Sequence, residues 1–173
     1  MITVLDIETT MHGVDKSPSP YSQFNYLVSV GWKFEELLDN YVCIKHDEEP
    51  STPNAKLDIQ SVLDRTTTLV CHNVKFDLSW LLECGFKYDG DTYDTMIYEY
   101  LKSGGTHAPL DLSSCCSRYN LPVKSDGTKE YLQRGIGFES MPWDVVEEYG
   151  KQDVDITWQL YWSQQEELNG TGT

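Results

Sequence analysis

Basic residues are scarce in this sequence. Thirteen Lys and Arg stand against 28 Asp and Glu in 173 residues, a net charge of −15. That balance argues against a protein that grips long duplex nucleic acid through a wide basic face. It leaves room for an enzyme that touches only a few nucleotides, because metal–phosphate contacts can replace Lys and Arg at a reacting centre. No apolar run reaches the length of about 18 residues that a membrane-spanning helix needs. The first residues, Met-Ile-Thr-Val-Leu-Asp, lack a basic stretch and a small-residue cleavage site, so no secretory leader is expected. The cysteines, Cys43, Cys71, Cys84, Cys115 and Cys116, are odd in number and contain no C-x-x-C pair. They read as free thiols in a reducing cytoplasm, that of a bacterium or a phage-infected host. The histidines, His12, His46, His72 and His107, lack zinc-ligand spacing. Repeats and low-complexity segments are absent too.

What is present is enough for one core: 39% of residues are apolar and the length suits one domain. The expectation is one domain over residues 1–168 and a flexible tail at 169–173. Residues 2–8 are β-branched and aliphatic and read as a strand. Residues 11–24, with Gly13, Pro18 and Pro20, read as a loop. Residues 25–34 and 40–45 suggest two further strands, with Asn40 near the turn between them. A short helix fits Leu57 to Asp64, and the apolar run 67–72 fits a buried strand. Helical spacing then covers Phe76 to Cys84, with Gly85 placed as a C-cap. Residues 94–101 and 111–119 suggest two more helices, and 122–138 resist placement. Ser140 as N-cap and Pro142 in the first turn would open a long helix to about Leu168. Strands followed by alternating strands and helices imply an α/β domain with a mixed sheet of about five strands.

The chemistry concentrates in acids. Asp6 and Glu8 flank one residue on a strand, so both carboxylates share a face and Ile7 takes the other. Two adjacent acids repel and are costly to desolvate, and a hard divalent cation relieves both problems. An ordinary solvated strand end is the alternative for this pair. Asp77 follows a buried strand and falls in the first turn of a helix, where acids also occur simply to answer the helix dipole. On the last helix, Val146, Tyr149, Ile156 and Leu160 form an apolar stripe, and Asp153 occupies a position of that stripe. A carboxylate there needs a partner, whether a metal or a basic side chain. Tyr149 lies one turn earlier on the same face. Asp155 points about 160° away around the helix and is left out.

In order, Asp6-Ile7-Glu8-Thr9-Thr10, Asn73-Val74-Lys75-Phe76-Asp77 and Tyr149-Gly150-Lys151-Gln152-Asp153 resemble the three motifs of the DEDD (DnaQ-like) 3′-5′ exonuclease superfamily, in its tyrosine subtype. Asp94-Thr95-Met96 and the stretch from Leu110 to Leu121 resemble the helices after the second motif. The likeness spans residues 2 to 162 and is greatest to the proofreading domain of bacterial and phage family A DNA polymerases. Where that family often carries Gly-Leu, with the leucine wedged against the terminal base, this chain has Met11 and His12.

The resemblance implies a ribonuclease H-like fold and hydrolysis assisted by two divalent cations, Mg²⁺ or Mn²⁺. By analogy, Asp6 bridges both ions. Glu8 and Asp153 complete one ion site, and Asp77 supports the other. Tyr149 orients the attacking water, and Thr9, Thr10, Met11, His12 and Asn73 line the pocket for the last nucleotide. The expected substrate is a single-stranded or frayed DNA 3′ end, trimmed to nucleoside 5′-monophosphates in replication proofreading or repair. A polymerase or another replication protein is the expected partner, and no membrane is involved. Two alternatives stand beside this: an exoribonuclease trimming RNA, and a non-catalytic module of the same fold that recruits a polymerase. Lys102, Arg118, Lys124, Lys129 and Arg134 form either a local basic patch for the strand or scattered solvated charge.

Overall fold

The computed structural model describes residues 1–12, 16–35, 39–106, 108–122 and 127–170. Gly13, His107, Lys124 and residues 171–173 lie outside these. In chain order the elements are β1 (Ile2–Thr9), β2 (Leu27–Lys33), β3 (Asp39–Cys43), α1 (Ala55–Arg65), β4 (Thr68–Cys71), α2 (Val74–Glu83), β5 (Asp91–Asp94), α3 (Thr95–Lys102), α4 (Leu112–Arg118), α5 (Lys129–Gln133) and α6 (Trp143–Gly170). The strands form one five-stranded sheet in the order β3-β2-β1-β4-β5. β1 pairs antiparallel with β2 and parallel with β4. β2 and β3 are antiparallel, and β4 and β5 are parallel. The result is the mixed sheet flanked by helices that the sequence implies.

The period of two along β1 divides the molecule. Leu5 and Ile7 point to one face, where they join Val30 and Trp32 with Ile59 of α1 and Trp80 of α2 in a buried cluster. Each fully buried Leu or Ile of this layer contributes about 1.5–3 kcal/mol. Val4 points to the other face and packs with Val70 of β4 and Val154 and Tyr161 of α6. Asp6 and Glu8 share that second face. α6 therefore crosses β1, β2 and β3 on the side that bears the acids.

Several boundaries differ from the sequence expectation. Asn40, expected near the turn at the start of the third strand, is the second residue of β3, paired with Trp32, and β3 ends at Cys43 rather than 45. Residues 91–94 form a strand that the sequence does not signal, because Asp-Thr-Tyr-Asp is short and polar. It is extended because the edge of β4 offers it parallel hydrogen bonds, a tertiary effect that overrides weak propensity. Ser140 is not the N-cap of α6: its hydroxyl bonds to the Asp47 carboxylate instead. Pro142 precedes the helix, and its carbonyl accepts from Val145 and Val146 at 3.0 and 3.2 Å. Asn169 and Gly170, expected in a frayed tail, continue α6. The expected stop of α2 is in place: Gly85 has φ +89°, and the amides of Gly85 and Phe86 close onto the carbonyls of Leu82 and Leu81. All five cysteines are free thiols. No helix among the described residues is long and apolar enough to cross a membrane.

Candidate active site

Asp6 and Glu8 stand opposite Gly31 and Ser29 of β2, and the register slips between Glu8 and Thr9. Such an irregularity ends regular pairing and re-aims side chains, a common device beside active sites. α6 is held against this strand end by its buried stripe, and Asp153 lies on that stripe beside Val154 and Ile156. The outcome is convergence. Asp6, Glu8 and Asp153 each offer a carboxylate oxygen, and these oxygens all lie within 4.8 Å of one another. Glu8 is 7% exposed and Asp153 8% exposed. Three carboxylates so close, two of them buried and Asp6 half-buried, repel strongly without a counter-charge. An all-oxygen donor set of this size fits a hard divalent cation.

Asp77 does not join that group of three; it stands beside it. The carboxyl is 3% exposed. Burial pushes its pKa well above the ordinary carboxylate range, and the charge of Asp6 pushes it further. Backbone hydrogen bonds at Asp77 and Ile7 oppose the shift. The position of α2 comes from Asp94 at the end of β5. One oxygen of Asp94 accepts from the amide of Asn73 at 3.0 Å, and the other from Val74 at 2.9 Å. Asp94 also caps α3, accepting from Met96 at 2.9 Å. A single carboxylate thus ties together the starts of two helices, including the one that carries Asp77. Its place before Thr95 marks a helix start in the sequence, but its second duty, at α2, has no local signal.

A raised folded-state pKa has a definite sign for stability. Asp77 contributes its full stability below the unfolded carboxylate value of about 3.9, and that contribution is lost as pH rises through the folded value. At neutral pH without metal the carboxylate is a liability. Asp77→Asn is therefore expected to melt higher than the parent protein in chelator at pH 7. Each kcal/mol gained raises Tm by about 2–4 °C in a chain of this size. The gap should close as pH falls toward 4. Thermal melts of both proteins across that pH range check this; identical curves would show that Asp77 is not strained.

Tyr149 faces the same acids. Its phenol is pushed above its usual value, first by burial and then by Asp153, Glu8 and Asp6. A hydrogen bond with the Thr128 side chain opposes this only in part, so the hydroxyl stays protonated at neutral pH. The Phe138 ring packs 5.5 Å away, centroid to centroid. Tyr41, which sequence reasoning missed, is held well above the ordinary phenol range, first by burial and then by the charges of Glu8, Asp6 and Asp153, with a Ser29 hydrogen bond opposing. Asp155 is indeed turned away, paired with Lys33 of β2.

The residues expected around the last nucleotide divide by exposure. Thr9 and Thr10 are buried, and Tyr26 donates its amide to the Thr10 hydroxyl at 2.9 Å. Met11 is exposed. His12 is half-exposed and its Nε2 lies 3.3 Å from the Glu139 carboxylate. Asn73 has φ +78° and its side chain does not cap α2. Of the five bases considered as a patch, Lys102 pairs with Glu167 and Arg118 with Glu99. Those two charges are already neutralised within the fold.

A family model described as 3′-5′ exonuclease matches residues 15–169. That span takes in Asp77, Tyr149 and Asp153 and begins beyond Asp6 and Glu8. No curated protein matches the chain. Among solved structures, one described as the apo form of the nuclease superposes with a TM-score of 0.69 at 16% identity, over 99% of this chain and 74% of that one. The family B DNA polymerase of the archaeon Pyrobaculum calidifontis gives 0.65 at 16% identity, over 92% of this chain but 24% of the polymerase. NrnC of Brucella melitensis, bound to pGG, gives 0.50 at 19% identity, over 99% and 85%. At such identities the likeness is one of fold, and the fold is ribonuclease H-like. With the family model covering most of its length, the chain belongs to the 3′-5′ exonucleases of the DEDD superfamily.

Proposed function

We propose that the chain is an exonuclease of the tyrosine subtype that trims single-stranded or frayed DNA 3′ ends to nucleoside 5′-monophosphates with the help of two divalent cations, Mg²⁺ or Mn²⁺. The observation that carries this reading is the meeting of Asp6, Glu8 and Asp153 within 4.8 Å, with Asp77 buried in the field of Asp6. Asp6 belongs to the group of three and also acts on Asp77, which would suit it to serve both ions. Glu8 and Asp153 would help hold one ion, and Asp77 would support the other. When bound, such ions polarise phosphoryl oxygens and make bound water a stronger nucleophile.

The protein's own groups do the rest. Tyr149 keeps its proton, so its hydroxyl orients the attacking water and does not act as base. Thr9, Thr10, Met11, His12 and Asn73 surround the terminal nucleotide, with Met11 and His12 as the exposed members. A short strand needs few phosphate contacts, which reconciles the function with the net charge of −15. Free cysteines suit work in the cytoplasm, in replication proofreading or repair beside a polymerase. RNA trimming is the second reading, favoured by the likeness to NrnC, which was solved with pGG.

The test is digestion of 5′-labelled single-stranded DNA and matched RNA with Mg²⁺, with Mn²⁺ and with chelator. A ladder shortening from the 3′ end, present with metal and absent in chelator, is expected, with DNA cut faster. Faster cutting of RNA would move the assignment to the second reading, and cutting in chelator would end the metal reading. Tyr149→Phe is expected to lower kcat by about 10–100-fold, the scale of losing an orienting hydrogen bond. Single-turnover rates check it; an unchanged rate would remove the hydroxyl from the mechanism.

A further inference from the structure

Tyr41 lies on β3, two strands from Asp6 and Glu8, and its sequence neighbourhood gives it no mark. Its ring occupies the layer between the sheet and α6. Gly31, its partner on β2, and Gly150 on α6 form the walls of that slot. A Cβ added to either glycine would come within 3.0 Å of the ring. The hydroxyl continues the contact. It donates to the Val146 carbonyl of α6 at 3.3 Å, which uses its one proton. The Ser29 hydroxyl must then donate to it, across 2.7 Å. Ser29 is the register partner of Glu8, and Gly31 that of Asp6. Val146 lies about two helical turns before Asp153. One side chain thus touches the strand beside the first two acids and the helix that carries the last.

We propose that Tyr41 is a positioning residue for the carboxylate cage. Its ring sets the distance between the sheet and α6, and its hydroxyl sets how far α6 is slid along that sheet. Asp153 thereby meets Asp6 and Glu8 at the spacing a divalent cation requires. The proposal rests on those carboxylates being metal ligands. Loss of the hydroxyl leaves the acids in place chemically and loosens their mutual geometry, so metal affinity falls before folding does.

The experiment measures Mn²⁺ binding calorimetrically without nucleic acid, with kcat, KM and the melting temperature in chelator, for the parent, Tyr41→Phe and Asp153→Asn. Tyr41→Phe is expected to bind Mn²⁺ about tenfold more weakly, the scale seen when a group behind a metal ligand is removed. Its kcat should fall at limiting Mn²⁺ and recover at saturating Mn²⁺, with KM for the strand little changed. A role in stability alone would lower the melting temperature and leave Mn²⁺ affinity intact at a temperature where the protein is folded; that result overturns the proposal. Normal Mn²⁺ binding by Asp153→Asn would instead remove the metal-ligand reading itself. Should Tyr41→Phe fail to fold, Ser29→Ala keeps the ring and removes the hydroxyl's donor, and it is judged by the same two outcomes.

Discussion

Asp6→Ala or Asp153→Asn is expected to abolish nearly all hydrolysis while leaving the fold intact. A single orienting group behind a metal ligand is worth about 10–100-fold. A ligand that holds the ion and also aligns its neighbours is worth more, so a loss on the order of 10³-fold in kcat is expected, equivalent to about 4 kcal/mol at the transition state. Folding should survive for an electrostatic reason. Each substitution takes one negative charge out of a group whose oxygens lie within 4.8 Å of one another. Repulsion falls, and the metal-free protein should melt no lower than the parent. Asn at position 153 keeps the shape of the buried side chain, and Ala at position 6 opens space at a half-buried site. Turnover of a labelled single-stranded oligonucleotide, with circular dichroism melts in chelator, gives both readouts. Normal activity in a protein carrying alanine at both positions would refute the site.

Gly150→Ala should lose stability and activity together, against its helix propensity. Gly in a helix interior is less favourable than Ala by about 1 kcal/mol, so an exposed site would gain from the change. Position 150 is buried, and the new methyl would meet the Tyr41 ring closer than 3.0 Å. The ring is itself confined by Gly31 and cannot simply retreat. Overpacking costs about 1–3 kcal/mol, and so close an approach to the ring belongs at the upper end of that range, above the gain in propensity. The relief open to the protein is outward movement of α6, and Asp153 would move with it. A fall in Tm of several degrees, on the order of 2–4 °C for each kcal/mol, should come with weaker Mn²⁺ binding. Glu148→Ala, on the exposed face of the same helix, serves as the control and should change neither. A Gly150→Ala protein that melts higher than the parent and keeps its activity would show that the slot is not tight.

Much of the site is legible in the chain because two periodicities carry it. Alternation along β1 places Asp6 and Glu8 on the face opposite Leu5 and Ile7, and the helical period of α6 places Asp153 among Val146, Ile156 and Leu160. β5 was not legible, since four polar residues have no strand signature apart from the neighbour they pair with. Lys102 and Arg118 look the same in sequence as a nucleic-acid patch, because their partners Glu167 and Glu99 are distant in the chain and close only in the fold.

From residue types and their order came the kind of sheet, the face on which each acid sits and the membership of an exonuclease superfamily. The faces follow from local rules, the stagger of a strand and the turn of a helix, which act between residues close in the chain. The membership rests on the likeness of three ordered motifs and on the family model. Tertiary packing alone decided how near the acids approach, that Asp77 stands beside the group of three, and that Asp94 ties α2 to α3. The separation of α6 from the sheet depends on a tyrosine ring seated between two glycines from different elements. Such a fit is a property of side-chain volumes brought together by folding, and no local pattern records it.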